Sequence, residues 1–211
     1  MKVLGISGSP RKGKTTDLLV HEVLMATDAP TEFVSLAGLR IGPCIGCLAC
    51  VEDNICKVKD DMVDLREKIV AADALVIGAP NYFDGLNGLS HCFLERFFQF
   101  RHREGDAISG KTGVAVGVGG GMPEPPARDI EKFFTFNQID CLGRVLAVGP
   151  ASCFDCGHGE DCSVGAIHQF YGPDTKITED ITPSLAKQPQ AIDQARSIGR
   201  KLHQHLEQLS G

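Results

Sequence analysis

The sequence has no excess of basic residues: 21 lysines and arginines stand against 27 aspartates and glutamates, which gives a net charge of −6. Such a balance argues against a general nucleic-acid-binding surface. No stretch approaches the ~20 consecutive apolar residues that a membrane-spanning helix needs. The first residues form a strand pattern rather than the apolar segment of a signal peptide. We therefore expect a cytoplasmic protein that binds neither nucleic acid nor membranes.

Cysteine, by contrast, is abundant, with nine in the chain. Disulfides are rare in a reducing compartment, so these thiols need another role. Four of them form a first cysteine group with the spacing C-x2-C-x2-C-x5-C: Cys44, Cys47, Cys50 and Cys56. Ferredoxin sequences contain the same C-x2-C-x2-C core, in which one loop surrounds a 4Fe–4S cubane. The alternatives are a zinc ion held by four thiolates, and thiols without a ligand.

A second cysteine group has only three members, with the spacing C-x2-C-x5-C: Cys153, Cys156 and Cys162. It lies in segment 151–187, which is too long for an ordinary connection and is predicted to be functional. A second metal centre here needs a fourth ligand, for which Cys92 is the first choice and His158, Asp161 or a partner subunit are alternatives. Cys141 is predicted to precede the last strand, at the opposite edge of the sheet. A loop with free thiols is the other interpretation.

Apolar segments alternate with helical patterns along the chain. Five segments are predicted as buried strands: 2–8, 31–37, 74–80, 112–120 and 144–150. Helices are predicted at 15–26, 61–72, 90–103, 127–137 and 189–209. This alternation favours a parallel sheet covered on both faces. We predict one α/β domain over residues 1–211, doubly wound with the flavodoxin-like strand order 2-1-3-4-5. It carries a cysteine-rich loop at 40–60 and a C-terminal extension.

The first strand leads into "GSPRKGKT", residues 8–15, which satisfies the P-loop pattern G-x-x-x-x-G-K-[ST]. A nucleoside-triphosphate site also needs an acidic residue at the carboxyl end of another strand, and none of the predicted strands ends in one. Pro10 also removes a backbone donor. An ordinary glycine-rich turn is a further alternative. The loop suits the phosphate of a flavin, which would meet hydroxyls, backbone N–H groups and charge from Arg11 and Lys14.

Two other strand ends suit the flat ring of a flavin. In doubly wound sheets, ligands lie beyond the carboxyl ends of the strands. The third predicted strand ends in Pro80, Asn81, Tyr82 and Phe83, which offer an aromatic surface and backbone groups. The fourth ends in Gly119 and Gly120, where the backbone can approach a ring edge closely. These ends predict a flavin site at one edge of the sheet.

The segments "GSPRKGKTT", "GAPNYFDGLNG" and "CIGCLACVEDNICKVKDD" together resemble the iron–sulfur flavoproteins, a branch of the NADPH-dependent FMN reductase superfamily. The resemblance covers about residues 1–150. It implies a flavodoxin-like fold, FMN, a 4Fe–4S cluster on the first cysteine group, and assembly into a homodimer, a homotetramer or a larger oligomer. It further implies FMN contacts by position from Ser7, Ser9, Arg11, Thr15, Thr16, Pro80, Asn81, Tyr82 and Phe83. Lys14 departs from the family, which usually has a small polar residue there.

A one-electron cluster beside a flavin would convert single electrons into pairs. We therefore expect an oxidoreductase that takes electrons from ferredoxin or a similar donor, through the cluster and FMN, to an acceptor. One alternative is an NAD(P)H-dependent FMN or quinone reductase whose cysteines are structural. Another is an electron-carrier module of a larger complex without catalytic activity of its own.

Overall fold

The computed structural model describes residues 1–103 and 105–210. Its sheet has five parallel strands in the order β2-β1-β3-β5-β6, and a sixth strand, β4, pairs antiparallel with the end of β3. The strands are β1 Val3–Ser7, β2 Thr31–Ser35, β3 Ala74–Tyr82, β4 Gly85–Leu86, β5 Thr112–Gly119 and β6 Asp140–Val148. The predicted order 2-1-3-4-5 is confirmed for the parallel strands. The sequence did not reveal β4, because two residues are too few for an alternation pattern.

In the described part of the chain, six α-helices and three 3₁₀ segments accompany the sheet. The helices are α1 Thr15–Met25, α2 Met62–Ala71, α3 Gly88–Glu95, α4 Glu124–Phe136, α5 Ala166–Tyr171 and α6 Pro189–Ser210. The 3₁₀ segments are Arg96–Phe100, Ser152–Phe154 and Leu185–Lys187. Among the described residues, no helix combines the length and the apolar character needed to cross a membrane.

Helices pack on both faces of the sheet, and each face has its own apolar core. One core joins the sheet to α1 and α6, through side chains such as Val20 and Leu202. The other joins it to α2, α3 and α4, and includes Ile69, Phe93 and Phe134. Every residue of β5 is buried, as expected for a central strand covered on both sides.

Several predicted bounds differ from the structure. The phenylalanine-rich helix begins at Gly88 and tightens to 3₁₀ geometry from Arg96 onwards, instead of continuing to residue 103 as predicted. Helix α4 begins three residues early, because Pro125 and Pro126 fit the first turn of a helix. Segment 151–187 is less irregular than expected, since it contains α5.

The prediction that Cys141 precedes the last strand is wrong. Strand β6 begins at Asp140, and Cys141 pairs with Gly113 of β5. The register then shifts, so that the next pair is Val114 with Gly143, and Leu142 is the extra residue of a β-bulge. The bulge hides the strand pattern in the sequence. Cys141 still lies at the amino end of β6, away from the carboxyl edge of the sheet.

Candidate functional site

A cleft of about 330 Å³ opens at the carboxyl edge of the sheet. Four chain segments form its walls: the β1–α1 loop, the end of β3, the end of β5 and the residues that follow β6. Every residue predicted to bind the flavin lines this cleft except Ser7. Five further residues line the cleft that were not predicted from the sequence: Val118, Gly149, Pro150, Ala151 and Ser152. The sequence could have indicated most of them, because the fifth predicted strand, 144–150, also has its carboxyl end at this edge of the sheet.

The β1–α1 loop is held by its own hydroxyl groups. Ser7 is fully buried, and its Oγ accepts the N–H of Ser9 at 3.3 Å. The Oγ of Ser9 accepts the N–H of Arg11 at 3.1 Å. Ser7 therefore supports the loop from below, whereas Ser9 lies in the wall of the cleft. Behind them, the side-chain N–H of Asn87 donates to the carbonyl of Gly8 at 2.8 Å and ties the loop to the start of α3.

The start of α1 lines the cleft with groups that favour an anion. Thr15 and Thr16 occupy its first turn, where backbone N–H groups lack intrahelical acceptors and the helix dipole favours negative charge. The N–H of Gly13, by contrast, is already bound to the carboxylate of Asp17 at 2.8 Å, and Asp17 is buried. A P-loop would direct such a loop donor toward phosphate. This local bond therefore speaks against the nucleoside-triphosphate interpretation.

Arg11 connects the cleft to the segment after β6. Its guanidinium donates to the carbonyl of Pro150 at 2.8 Å and to the carboxylate of Asp155 at 3.3 Å. The side chains of the Arg11–Asp155 pair are 39% and 63% exposed, so the pair contributes only about 0–1 kcal/mol. A phosphate group could therefore compete with Asp155 for this guanidinium.

The rim of the cleft combines a fixed backbone with exposed rings. The amide of Asn81 donates to the carbonyl of Met122 at 2.6 Å and accepts the N–H of Gly85 at 3.2 Å, which fastens the end of β3 to the β5–α4 loop. A Cβ on Gly119 would lie 2.2 Å from that same carbonyl, so this close approach requires glycine. Phe83 is fully exposed at a φ of 52°, a conformation that is rare for a bulky residue.

The first cysteine group surrounds a second, smaller cavity of about 130 Å³. It lies in the connection between β2 and α2, as predicted. Cys44, Cys47, Cys50 and Cys56 all line it, and its remaining walls are mainly apolar, with Ile45, Leu48, Val58 and Phe98 among them. Four thiols grouped around a mainly apolar cavity suit a group that binds thiolates.

Helix α3 and the 3₁₀ segment after it hold this loop through three side chains. The carboxylate of Glu95 accepts the N–H of Cys44 at 3.1 Å, and the side-chain carbonyl of Gln99 accepts the N–H of Cys56 at 3.0 Å. Arg96 donates from Nη2 to the sulfur of Cys56 at 3.2 Å. The sequence analysis did not identify these three residues, because they lie far along the chain from the cysteines.

The four thiols of the first group influence one another electrostatically. Burial raises the pKa of Cys50, and negative charge on Cys56, Cys44 and Cys47 raises it further. Cations bound to the sulfurs would relieve this repulsion, because metal binding displaces the thiol protons. Within residues 1–103 and 105–210, no three His, Cys, Asp or Glu side chains form a ready-made site for a single ion. A cubane does not require such a site, since its thiolates bind different iron atoms.

Residues 1–127 match the family model of the NADPH-dependent FMN reductases. The chain belongs to this family. An iron–sulfur flavoprotein of Methanocaldococcus jannaschii is 38% identical over 68% of this chain and 76% of its own. Another from Methanosarcina thermophila is 34% identical over 73% and 80%. The solved structure of an archaeal flavodoxin, 11% identical, covers 98% of this chain and 99% of its own with a TM-score of 0.54.

By its family, this chain is a flavin-dependent oxidoreductase, and its fold is flavodoxin-like. The M. jannaschii and M. thermophila relatives place it in the iron–sulfur flavoprotein branch, as the sequence motifs indicated. The family match ends before the second cysteine group.

In the second cysteine group, two sulfurs accept backbone hydrogen bonds. The N–H of Ala166 donates to Cys153 Sγ at 3.2 Å, and the N–H of His158 donates to Cys156 Sγ at 3.4 Å. Cys162 is partly buried near Gly165. Cys92 lies on α3, three residues before Glu95, whose carboxylate binds the N–H of Cys44. No hydrogen bond among the described residues joins it to the second group.

Proposed function

We propose that this oxidoreductase carries FMN in the cleft and a 4Fe–4S cluster on the first cysteine group, and that it passes electrons from a one-electron donor such as ferredoxin to an acceptor. The proposal rests on one observation: α3 contacts the cleft at one end and the first cysteine group at the other. Asn87, just before α3, binds the β1–α1 loop, and Glu95 at its end binds the cysteine loop. An eight-residue helix is ~12 Å long, so both sites lie within one short structural unit.

The residues of the chain would bind and orient FMN and the cluster and would shield them from water. When bound, FMN supplies two-electron chemistry and the cluster one-electron chemistry. Thiolates of the first cysteine group would hold the cluster. Thr15, Thr16 and Arg11 would bind the FMN phosphate, while Gly119 and the β3 end would lie against its ring. Among the residues that the structure describes, the N–H of Arg96 Nε, buried beside the cysteine loop, has no acceptor, which fits a site whose acceptor belongs to the bound group.

The surface around the first cysteine group suits contacts with other proteins. Four large apolar side chains are exposed around the first cysteine group: Ile45, Leu48, Ile55 and Phe98. Clustered apolar exposure favours protein contacts, either with a ferredoxin-like donor or within a homodimer or homotetramer. The nine free cysteines favour a reducing cytoplasm.

The test is the visible spectrum and iron content of anaerobically purified protein, followed by reduction with reduced ferredoxin or with NADPH. We expect one FMN and about four iron atoms per chain, and faster FMN reduction by ferredoxin than by NADPH. Steady turnover with NADPH in protein that holds FMN but no iron would contradict the proposal. It would favour an NAD(P)H-dependent flavin reductase with structural cysteines.

We further propose a second metal centre on Cys153, Cys156 and Cys162. It is supported by the two N–H···S hydrogen bonds, because donors of this kind stabilise metal-bound thiolates. Cys92, on α3, is the first candidate for the fourth ligand, His158 and Asp161 are local candidates, and a partner subunit is a further one. If the second centre is also a cubane, iron should rise from about four to about eight per chain. Iron near four, no zinc, and an unchanged spectrum in Cys156→Ala would exclude this second centre.

A further inference from the structure

Arg96 is a buried cation in direct contact with a thiol of the first cysteine group. Its side chain is 1% exposed, yet it lies at the edge of a surface loop. Nη1 donates to the carbonyl of Gly42 at 3.2 Å and to the carboxylate of Asp60, and Nη2 donates to Cys56 Sγ at 3.2 Å. The guanidinium thus joins the beginning and the end of the cysteine loop.

The positive charge of this guanidinium has a partly buried counterion, Asp60. Arginine stays protonated in proteins, and the carboxylate of Asp60 lies against Nη1 of Arg96 as its counterion. Burial acts to raise the pKa of Asp60, but hydrogen bonds from Arg96 and from the N–H groups of Gly42 and Met62 lower it. A permanent positive charge therefore lies in a fixed position beside Cys56.

We propose that Arg96 is a positioning residue that fixes Cys56 as a cluster ligand and raises the reduction potential of that cluster. The inference rests on the proposed function, because it requires a cluster on the first cysteine group. Reduction adds one electron, supplied in the test by dithionite, and makes the thiolate-bound group more negative. A cation and an N–H donor on one sulfur stabilise that reduced form more than the oxidised form.

Arg66, on α2, provides a matched control because it contacts the same loop. Its Nε and Nη2 donate to the carbonyl of Asn54 at 3.4 and 3.3 Å, and its guanidinium lies over the ring of Phe100 at 5.6 Å. Arg66 thus also fastens the loop with a guanidinium, but its hydrogen bonds go to a backbone carbonyl instead of a sulfur. Loss of general support for the loop should appear in both arginine variants, whereas an effect on potential should appear only at Arg96.

The experiment is an anaerobic potentiometric titration of the cluster in the full chain, for the parent and for Arg96→Gln, Arg96→Lys and Arg66→Gln. At the parent's midpoint potential, we expect the ratio of reduced to oxidised cluster to fall about tenfold in Arg96→Gln, which corresponds to ~59 mV. Arg96→Lys keeps the charge but loses the planar fork, so its shift should be smaller. Arg66→Gln should match the parent.

Each outcome bears on either the inference or the proposed function. An iron-loaded parent with the same midpoint as both Arg96 variants would overturn the role of Arg96 and leave the proposed function intact. A parent that holds no iron would overturn both. If the Arg96 variants lose the cluster, urea unfolding of the metal-free proteins decides. A free energy of unfolding equal to that of the parent supports a positioning role for Arg96. If Arg96→Gln and Arg66→Gln are equally destabilised and lose the cluster to the same extent, the positioning role is contradicted.

Discussion

Replacing Cys47 with alanine is expected to remove essentially all cluster iron while FMN remains in the cleft. Cys47 is the most exposed of the four thiols around the small cavity, so its removal leaves the packing beneath the loop intact. Three thiolates cannot complete the shell that a stable cubane needs. Iron analysis and the visible spectrum of anaerobic protein measure the loss, and flavin released by denaturation measures the retained FMN.

Cys141→Ala is the matched control for Cys47→Ala. Cys141 is also exposed, but it lies at the amino end of β6, away from the cavity. Its replacement should leave iron and FMN unchanged. Full iron in Cys47→Ala would remove Cys47 from the ligand set, and replacement of iron by zinc in the parent would remove the main support for electron transfer.

Replacing Arg11 with alanine is expected to weaken FMN binding about 10- to 100-fold. A charge-assisted hydrogen bond contributes about 1.5–3 kcal/mol, and each 1.4 kcal/mol is a factor of ten in affinity. The same change also removes the hydrogen bond from Arg11 to the carbonyl of Pro150, which fixes one wall of the cleft. Fluorescence titration of flavin-free protein with FMN measures the effect.

Lys12→Ala controls for the loss of positive charge near the cleft. Lys12 is exposed and adjacent in sequence, but it does not line the cleft. Its variant should bind FMN as the parent does. Equal losses in both variants would mean that only the general electrostatic field matters. Magnesium-dependent binding of ATP by the parent, without uptake of flavin, would contradict the flavin assignment of the loop altogether.

The sequence was sufficient to predict the sheet and one edge of it. Three of the strands that carry the cleft, β1, β3 and β5, are mostly or entirely buried, so they appear as continuous apolar runs whose ends can be read directly. Since parallel strands place their carboxyl ends at one edge, the sequence alone assigns Ser9, Asn81 and Gly119 to the same site. The sequence assigns Ser7 to that site as well. A sequence motif does not show that Ser9 lines the cleft whereas Ser7 lies beneath the loop.

The supports of the cysteine loop could not be predicted from the sequence. Glu95, Arg96 and Gln99 reach the loop because the end of α3 and the 3₁₀ segment after it pack beside it. In the sequence they look like the polar face of an ordinary helix. The short helix α5 escaped prediction for a different reason, since six residues span fewer than two turns and give no clear period.

The contact of Arg11 with Asp155 has a thermodynamic consequence for the whole molecule. Asp155 lies between Cys153 and Cys156, so one guanidinium touches both the mouth of the flavin cleft and the segment that carries the second cysteine group. An anion that draws Arg11 away releases the carboxylate of Asp155, and a change that moves Asp155 releases Arg11. Such linkage is reciprocal: whatever factor flavin loading imposes on the cysteine segment, the segment imposes on flavin affinity.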